Sequence, residues 1–90
     1  MEFVKKLSPS EAKYKYLPIN KTIRGEFPEK EEIFKLKFKN KTYDLKVNSK
    51  DWIMITQLYP VYQFGEGDEV KITQNKNGVF ELTVNPASDM

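Results

Sequence analysis

Lys13, Tyr14, Lys15 and Tyr16 put two ammonium groups and two phenol rings into four consecutive positions. Lysines so placed neutralise phosphates, and tyrosines beside them hydrogen-bond or stack. Lys21 and Arg24 follow closely, and Arg24 is the single arginine of the chain. Its planar guanidinium suits a phosphate clamp or a bidentate pair with guanine. A second group lies at Asn48, Ser49, Lys50 and Trp52. An amide there can pair with adenine, a hydroxyl can bond a phosphate, and lysine supplies charge. Each group also has an ordinary structural use. The lysines can be solvated beside core-lining tyrosines, Arg24 can pair with Glu26 or another neighbouring acid, Asn48 can serve a turn, and Trp52 can pack beneath its loop.

The charge distribution points the same way. Residues 1–50 carry 13 Lys/Arg and 7 Asp/Glu, whereas residues 51–90 carry 2 and 6, so a net charge of +2 conceals a basic half and an acidic half. A domain with one basic half attracts a polyanion even when its net charge is small. Other chemistries are excluded by composition. The chain has no cysteine and no histidine, which removes disulfides, thiolate sites, thiol nucleophiles, zinc sites of the usual kind and Ser-His-Asp triads. Glu29, Glu31 and Glu32 cluster ahead of a strand without any sign of a pocket, and Asp68 and Glu69 are too few to hold calcium. We therefore expect no catalytic residues, no metal, no cofactor and no enzyme activity. No apolar run approaches membrane-spanning length and the start lacks a secretory signal, so the expectation is a cytoplasmic protein with no membrane partner.

Ninety residues with 39% hydrophobic content suit one domain with a small core. The spacing predicts that core over about residues 13–84, with 1–12 and 85–90 as loose ends. Ser8-Pro9-Ser10-Glu11 opens a turn or a short helix, and the alternation over 13–19 predicts a strand that Pro18 ends or holds at an edge. Asn20 caps a helical turn carrying Ile23 and Phe27, which Pro28 stops. Residues 33–47 read as a hairpin about an Asn40-Lys41 turn, with Phe38 opposite Tyr43, Leu36 opposite Leu45 and Phe34 opposite Val47. Lys35, Lys37, Lys39 and Lys46 then fill its outer face, with Asp44 as the lone acid. Trp52 to Ile55 forms a short strand, Thr56 caps a brief helix over 57–64, and two strands flank a loop at 75–78. The fold class is mainly β, a small pseudobarrel of six to seven strands, closed or nearly so, with two short helices.

Leu17-Pro18-Ile19 running into Phe27-Pro28, the apolar hairpin, and Phe64-Gly65-Glu66-Gly67-Asp68-Glu69-Val70 leading into a strand occur here in a characteristic order. Over residues 13–84 this order resembles the DNA-binding pseudobarrel domains, which include the plant B-three transcription-factor domains and effector domains of certain restriction endonucleases. The resemblance implies two arms that grip the major groove of double-stranded DNA. By position, the first arm is Lys13, Tyr14, Lys15 and Tyr16 with Lys21 and Arg24. The second is Asn48, Ser49, Lys50, Asp51 and Trp52. Two alternatives stand beside this reading. One is a module for a protein partner or homo-oligomer, acting through an exposed strand or the acidic half. The other is a single-strand binder of OB type with Tyr14, Tyr16 and Tyr43 as a stacking platform.

Overall fold

The computed structural model describes residues 2–87. Its elements follow in the order β1 (Glu2–Lys6), α1 (Pro9–Tyr14), β2 (Tyr16–Pro18), α2 (Lys21–Arg24), β3 (Phe34–Phe38), β4 (Lys41–Leu45), β5 (Trp52–Met54), β6 (Glu69–Gln74) and β7 (Phe80–Asn85), with one 3-10 turn at Thr56–Leu58. Two sheets form. The larger has the order β1-β6-β7-β3-β4, the smaller pairs β2 with β5. Only β3 and β7 run parallel. An isolated Val47–Ile53 bridge links the segment after β4 to β5. The two sheets therefore enclose a core without closing a hydrogen-bonded barrel, so of the closed or nearly closed forms expected, full closure does not occur. Proline explains part of this: Pro18 has no amide hydrogen with which to extend the β2 ladder.

The core between the sheets is aromatic and aliphatic. Leu17, Leu36, Val47, Ile53, Ile55, Leu58, Val70 and Ile72 are fully buried. Phe27 lies between Phe80, stacked at 4.9 Å, and Phe3 and Phe34 at 6.4 and 6.0 Å. Burial of such side chains, at about 1.5–3 kcal/mol each, is what holds so small a domain together.

The N-terminal segment differs most from expectation. Residues 2–6 form a strand that pairs antiparallel with β6, and Phe3 and Leu7 enter the core. With Val4 turned outward and two lysines following, the strand shows almost no alternation in sequence. The expected loose end at 85–90 falls partly outside the described residues, and Asn85 belongs to β7. Residues 13–19 are not one strand either. Ser8 caps α1 in a reciprocal capping box, its Oγ accepting from Glu11 N at 3.2 Å while Glu11 Oε1 accepts from Ser8 N at 2.9 Å, with Pro9 at the first helical position. The box carries the helix through Tyr14, and Lys15 at φ 62° turns the chain into β2. Local capping thus outweighs the Lys-Tyr alternation.

Asn20 does cap α2, accepting from Ile23 N at 3.0 Å. The β3–β4 hairpin keeps its inner face but shifts its register by two. Lys39 and Asn40, both at positive φ, make the turn, so Phe38 pairs with Lys41, Leu36 with Tyr43 and Phe34 with Leu45. A two-residue hairpin turn with positive φ at both positions matches the strand twist, and this fixes the register. On the outer face Lys35 pairs with Asp44 at 2.6 Å and Lys46 with Glu31, so the lysine row is partly neutralised. The helix expected over 57–64 is only a 3-10 turn, because Pro60 has no N–H to give the Thr56 carbonyl. At the following turn Gly67 (φ 87°) donates to Leu7 O at 2.8 Å, and a Cβ there would lie 2.9 Å from that of Ala87. Asp68 is buried as the turn's anchor, accepting from Gly65 N, Tyr62 Oη and Ala87 N at 2.9, 3.1 and 2.8 Å.

Candidate nucleic-acid interface

The two candidate segments meet along the β2–β5 ribbon. Three residue pairs make it: Tyr16 with Met54, Leu17 with Ile53 and Pro18 with Trp52. At one end Lys15 O accepts from Ile55 N at 2.9 Å, and at the other Asp51 O accepts from Ile19 N at 2.8 Å. Leu17 and Ile53 point into the core, which turns Tyr16 and Trp52 outward as diagonal neighbours. Their rings stack at 4.0 Å with an interplanar angle of 22°. Lys50 Nζ lies 4.9 Å from the Trp52 centroid.

The six residues of the first arm divide between the two ends of this ribbon. Lys13 and Tyr14 occupy the last turn of α1 with Lys13 Nζ 5.4 Å from the Tyr14 centroid, and Lys15 reaches over Tyr59 at 5.2 Å. Tyr16 joins the Trp52 stack. Lys21 and Arg24 lie on α2, at the end occupied by the second arm. There Arg24 Nε donates to Asp51 Oδ1 at 3.0 Å, and its Nη1 donates to the carbonyls of Phe27 and Pro28 at 3.3 and 2.9 Å. The Arg24 side chain is 22% exposed. Asp51 is thus Arg24's acid partner, rather than Glu26. Asn48 shapes the turn: its Oδ1 accepts from Lys50 N at 2.9 Å and Trp52 N at 3.1 Å, while Asp51 N donates to Asn48 O at 2.9 Å. Ser49 and Lys50 are exposed at the tip.

One residue of this region escaped the sequence reading. Lys30 Nζ lies 3.8 Å from Asp51 Oδ1, so two cations share that carboxylate. Its only sequence signal is a lysine among acids just after the Phe27-Pro28 stop. The three tyrosines proposed as a stacking platform do not assemble. Tyr14 is 60% exposed on a helix, Tyr16 is stacked on Trp52, and Tyr43 is buried at 7%. Behind the ribbon, Tyr59 Oη donates to Ala12 O at 2.8 Å, and burial followed by the Asp68 charge raises its pKa above the ordinary phenol value. Among the described residues no group of three or more His, Cys, Asp or Glu is placed to hold a metal ion. No helix among them is long and apolar enough to cross a membrane.

No protein-family model and no curated protein sequence matches the chain. Solved structures do. The N-terminal domain of Helicobacter pylori LlaJI.R1 aligns with a TM-score of 0.76 at 12% identity, covering 100% of this chain and 91% of that one. The FUS3–DNA complex of Arabidopsis aligns at 0.71 with 14% identity, covering 96% and 97%. The hypothetical Arabidopsis thaliana protein At1g16640.1 aligns at 0.68 with 13% identity, covering 98% and 92%. These likenesses establish the fold: seven strands in two sheets with two short helices, a B-three-type pseudobarrel, as the sequence resemblance indicated.

Proposed function

We propose that this domain binds double-stranded DNA, laying the β2–β5 ribbon toward the major groove while cations at its two ends reach phosphates on either side. The ribbon itself is the observation that supports this most. Three residue pairs span roughly 10 Å, close to the roughly 12 Å width of a major groove. Lys13 and Lys15 stand at one end, Lys21, Lys30 and Lys50 at the other. A solved structure of the same fold is a DNA complex, which adds to the reading. The role is binding without a chemical step, inside the cell where duplex DNA is found.

The Tyr16–Trp52 stack favours a duplex over a single strand. Single-strand binders offer open aromatic faces to successive bases, whereas one face of Trp52 is taken by Tyr16 and Tyr43 is buried. With five lysines each neutralising one phosphate, log affinity falls against log salt with a slope of about −4 to −5. Fluorescence anisotropy on a labelled duplex at several salt concentrations measures this. A salt-independent affinity, or tighter binding to the single strand, refutes the proposal.

A further inference from the structure

The larger sheet ends in two edge strands, β1 and β4, and the two edges differ. Along an antiparallel pair, backbone groups point alternately toward the neighbouring strand and away from it. Phe38 and Lys41 close the β3–β4 hairpin, so Thr42 and Asp44 point outward from β4. That edge is partly covered, because Gln57 Nε2 donates to Asp44 O at 3.0 Å. At the other edge Leu7 N donates to Asp68 O at 2.9 Å, in step with the β1–β6 register. Phe3 and Lys5 therefore bond β6, and Glu2, Val4 and Lys6 turn their N–H and C=O groups to the open side. Among the described residues no further strand or loop backbone pairs with those groups. The three side chains lie on the exposed face of the strand, and Val4 is 49% exposed.

We propose that this edge takes a second copy of the chain, β1 against β1, antiparallel about a two-fold axis at Val4. In that register Val4 stands opposite the partner's Val4, and Glu2 stands opposite the partner's Lys6 on both sides of the axis. The outward backbone groups of all three residues then find partners, and two sheets become one. Glu2 Oε2 already pairs with Lys71 Nζ at 2.8 Å in its own chain, and a carboxylate has acceptor sites left for a second ammonium. Parallel pairing would set Glu2 against Glu2 and Lys6 against Lys6. An antiparallel shift of two residues in either direction loses both Glu–Lys pairs. A lysine on an open edge ordinarily deters pairing. Here it meets a carboxylate in one register, so the deterrent selects the partner.

The test is sedimentation velocity and amide hydrogen exchange on the full chain from about 5 µM to about 1 mM. A contact this narrow belongs to the small, transient class, so half-association is expected between about 10 µM and 1 mM. Exchange at Val4 and Lys6 should slow about threefold or more across that range, while Phe3 and Lys5, already bonded to β6, change little. Val4→Pro removes an N–H that points away from β6, which an edge strand tolerates. Val4→Glu sets a carboxylate opposite Lys71 within the chain but opposite its own copy across the axis. Each variant should weaken association about tenfold or more. A chain still monomeric at about 1 mM, or association that Val4→Glu leaves within about twofold, overturns the inference. The β2–β5 ribbon belongs to the other sheet, so neither result bears on duplex binding.

Discussion

Two aromatic clusters in this domain use similar side chains to different ends. Phe27, Phe34 and Phe80 lie with centroids 4.9–6.0 Å apart and are each at most 7% exposed. Tyr16 and Trp52 stack more closely, at 4.0 Å, yet stay half-buried, with the Lys50 ammonium 4.9 Å from the Trp52 centroid. The first cluster joins β3, β7 and the segment after α2, and nearly all of its area is removed from water. The second sits on a ribbon whose inward side chains, Leu17 and Ile53, already provide the burial. Its rings lie beside the Lys50 ammonium at the surface. On the proposed function, the difference separates stability from binding: phenylalanines hold the sheets together, and the Tyr-Trp pair lies beside Lys50 at the surface.

The largest effect should come from the buried cluster. Phe80 packs against Phe27 and Phe34 at 4.9 Å from each. Phe80→Ala removes a ring from a site with little room to collapse and should cost about 3–5 kcal/mol, read as a lower urea midpoint at unchanged slope. Phe80→Leu keeps most of the volume and should cost less than about 1.5 kcal/mol. Any folded population of either variant should show the same salt dependence of DNA binding as the parent. A loss below about 1 kcal/mol for the alanine variant would dissolve the contrast between the clusters.

The second effect belongs to the exposed cluster. Lys50→Glu and Lys15→Glu, at opposite ends of the ribbon, should each weaken duplex binding about tenfold near 100 mM salt and reduce the salt slope by about 1, with the melting temperature nearly unchanged. Lys76→Glu changes the same net charge in the β6–β7 loop and should leave affinity within about twofold. Equal losses from all three would show that the domain attracts DNA by net charge alone, and the ribbon would lose its special status.

The parts of this arrangement visible in the sequence are those written locally. Asn20 as a cap, the inner face of the β3–β4 hairpin and the 75–78 loop each depend on residues a few positions apart. The Ser8 capping box is equally local, but its extent through Tyr14 competes with an alternation that suggests a strand, and only the hydrogen bonds decide. Strand β1 has no pattern of its own and exists because β6 offers it an edge. The same holds for the site. Lysines and aromatics at 13–16 and 48–52 mark a basic surface, but the Arg24–Asp51 pair joins residues 27 apart. No spacing rule assigns Arg24 to the second arm, and none indicates that the Asn48 side-chain oxygen is engaged by its own turn. A side chain's type states what it can bond, while its availability depends on partners that folding supplies.

Tyr59 lies between the two clusters in character and gives the smallest effect. Its ring packs on Phe64 at 5.2 Å inside, Lys15 lies over it from outside, and its hydroxyl donates to Ala12 O in α1. Burial, then the charge of Asp68, raises its pKa above the ordinary phenol value of 10.0. The native state therefore holds this proton more tightly than the unfolded chain does. The associated stability is fully present below pH 10 and is lost as pH rises through the higher native value. Thermal melts from pH 8.5 to 11 should show the parent losing stability faster than Tyr59→Phe, which cannot ionise. At pH 8.5 the variant should be the less stable of the two by about 1 kcal/mol, for the lost hydrogen bond. The two curves should converge toward pH 11. Parallel curves would mean that Tyr59 ionises as freely in the folded domain as in the unfolded chain, and would move it from the buried class of aromatic to the exposed one.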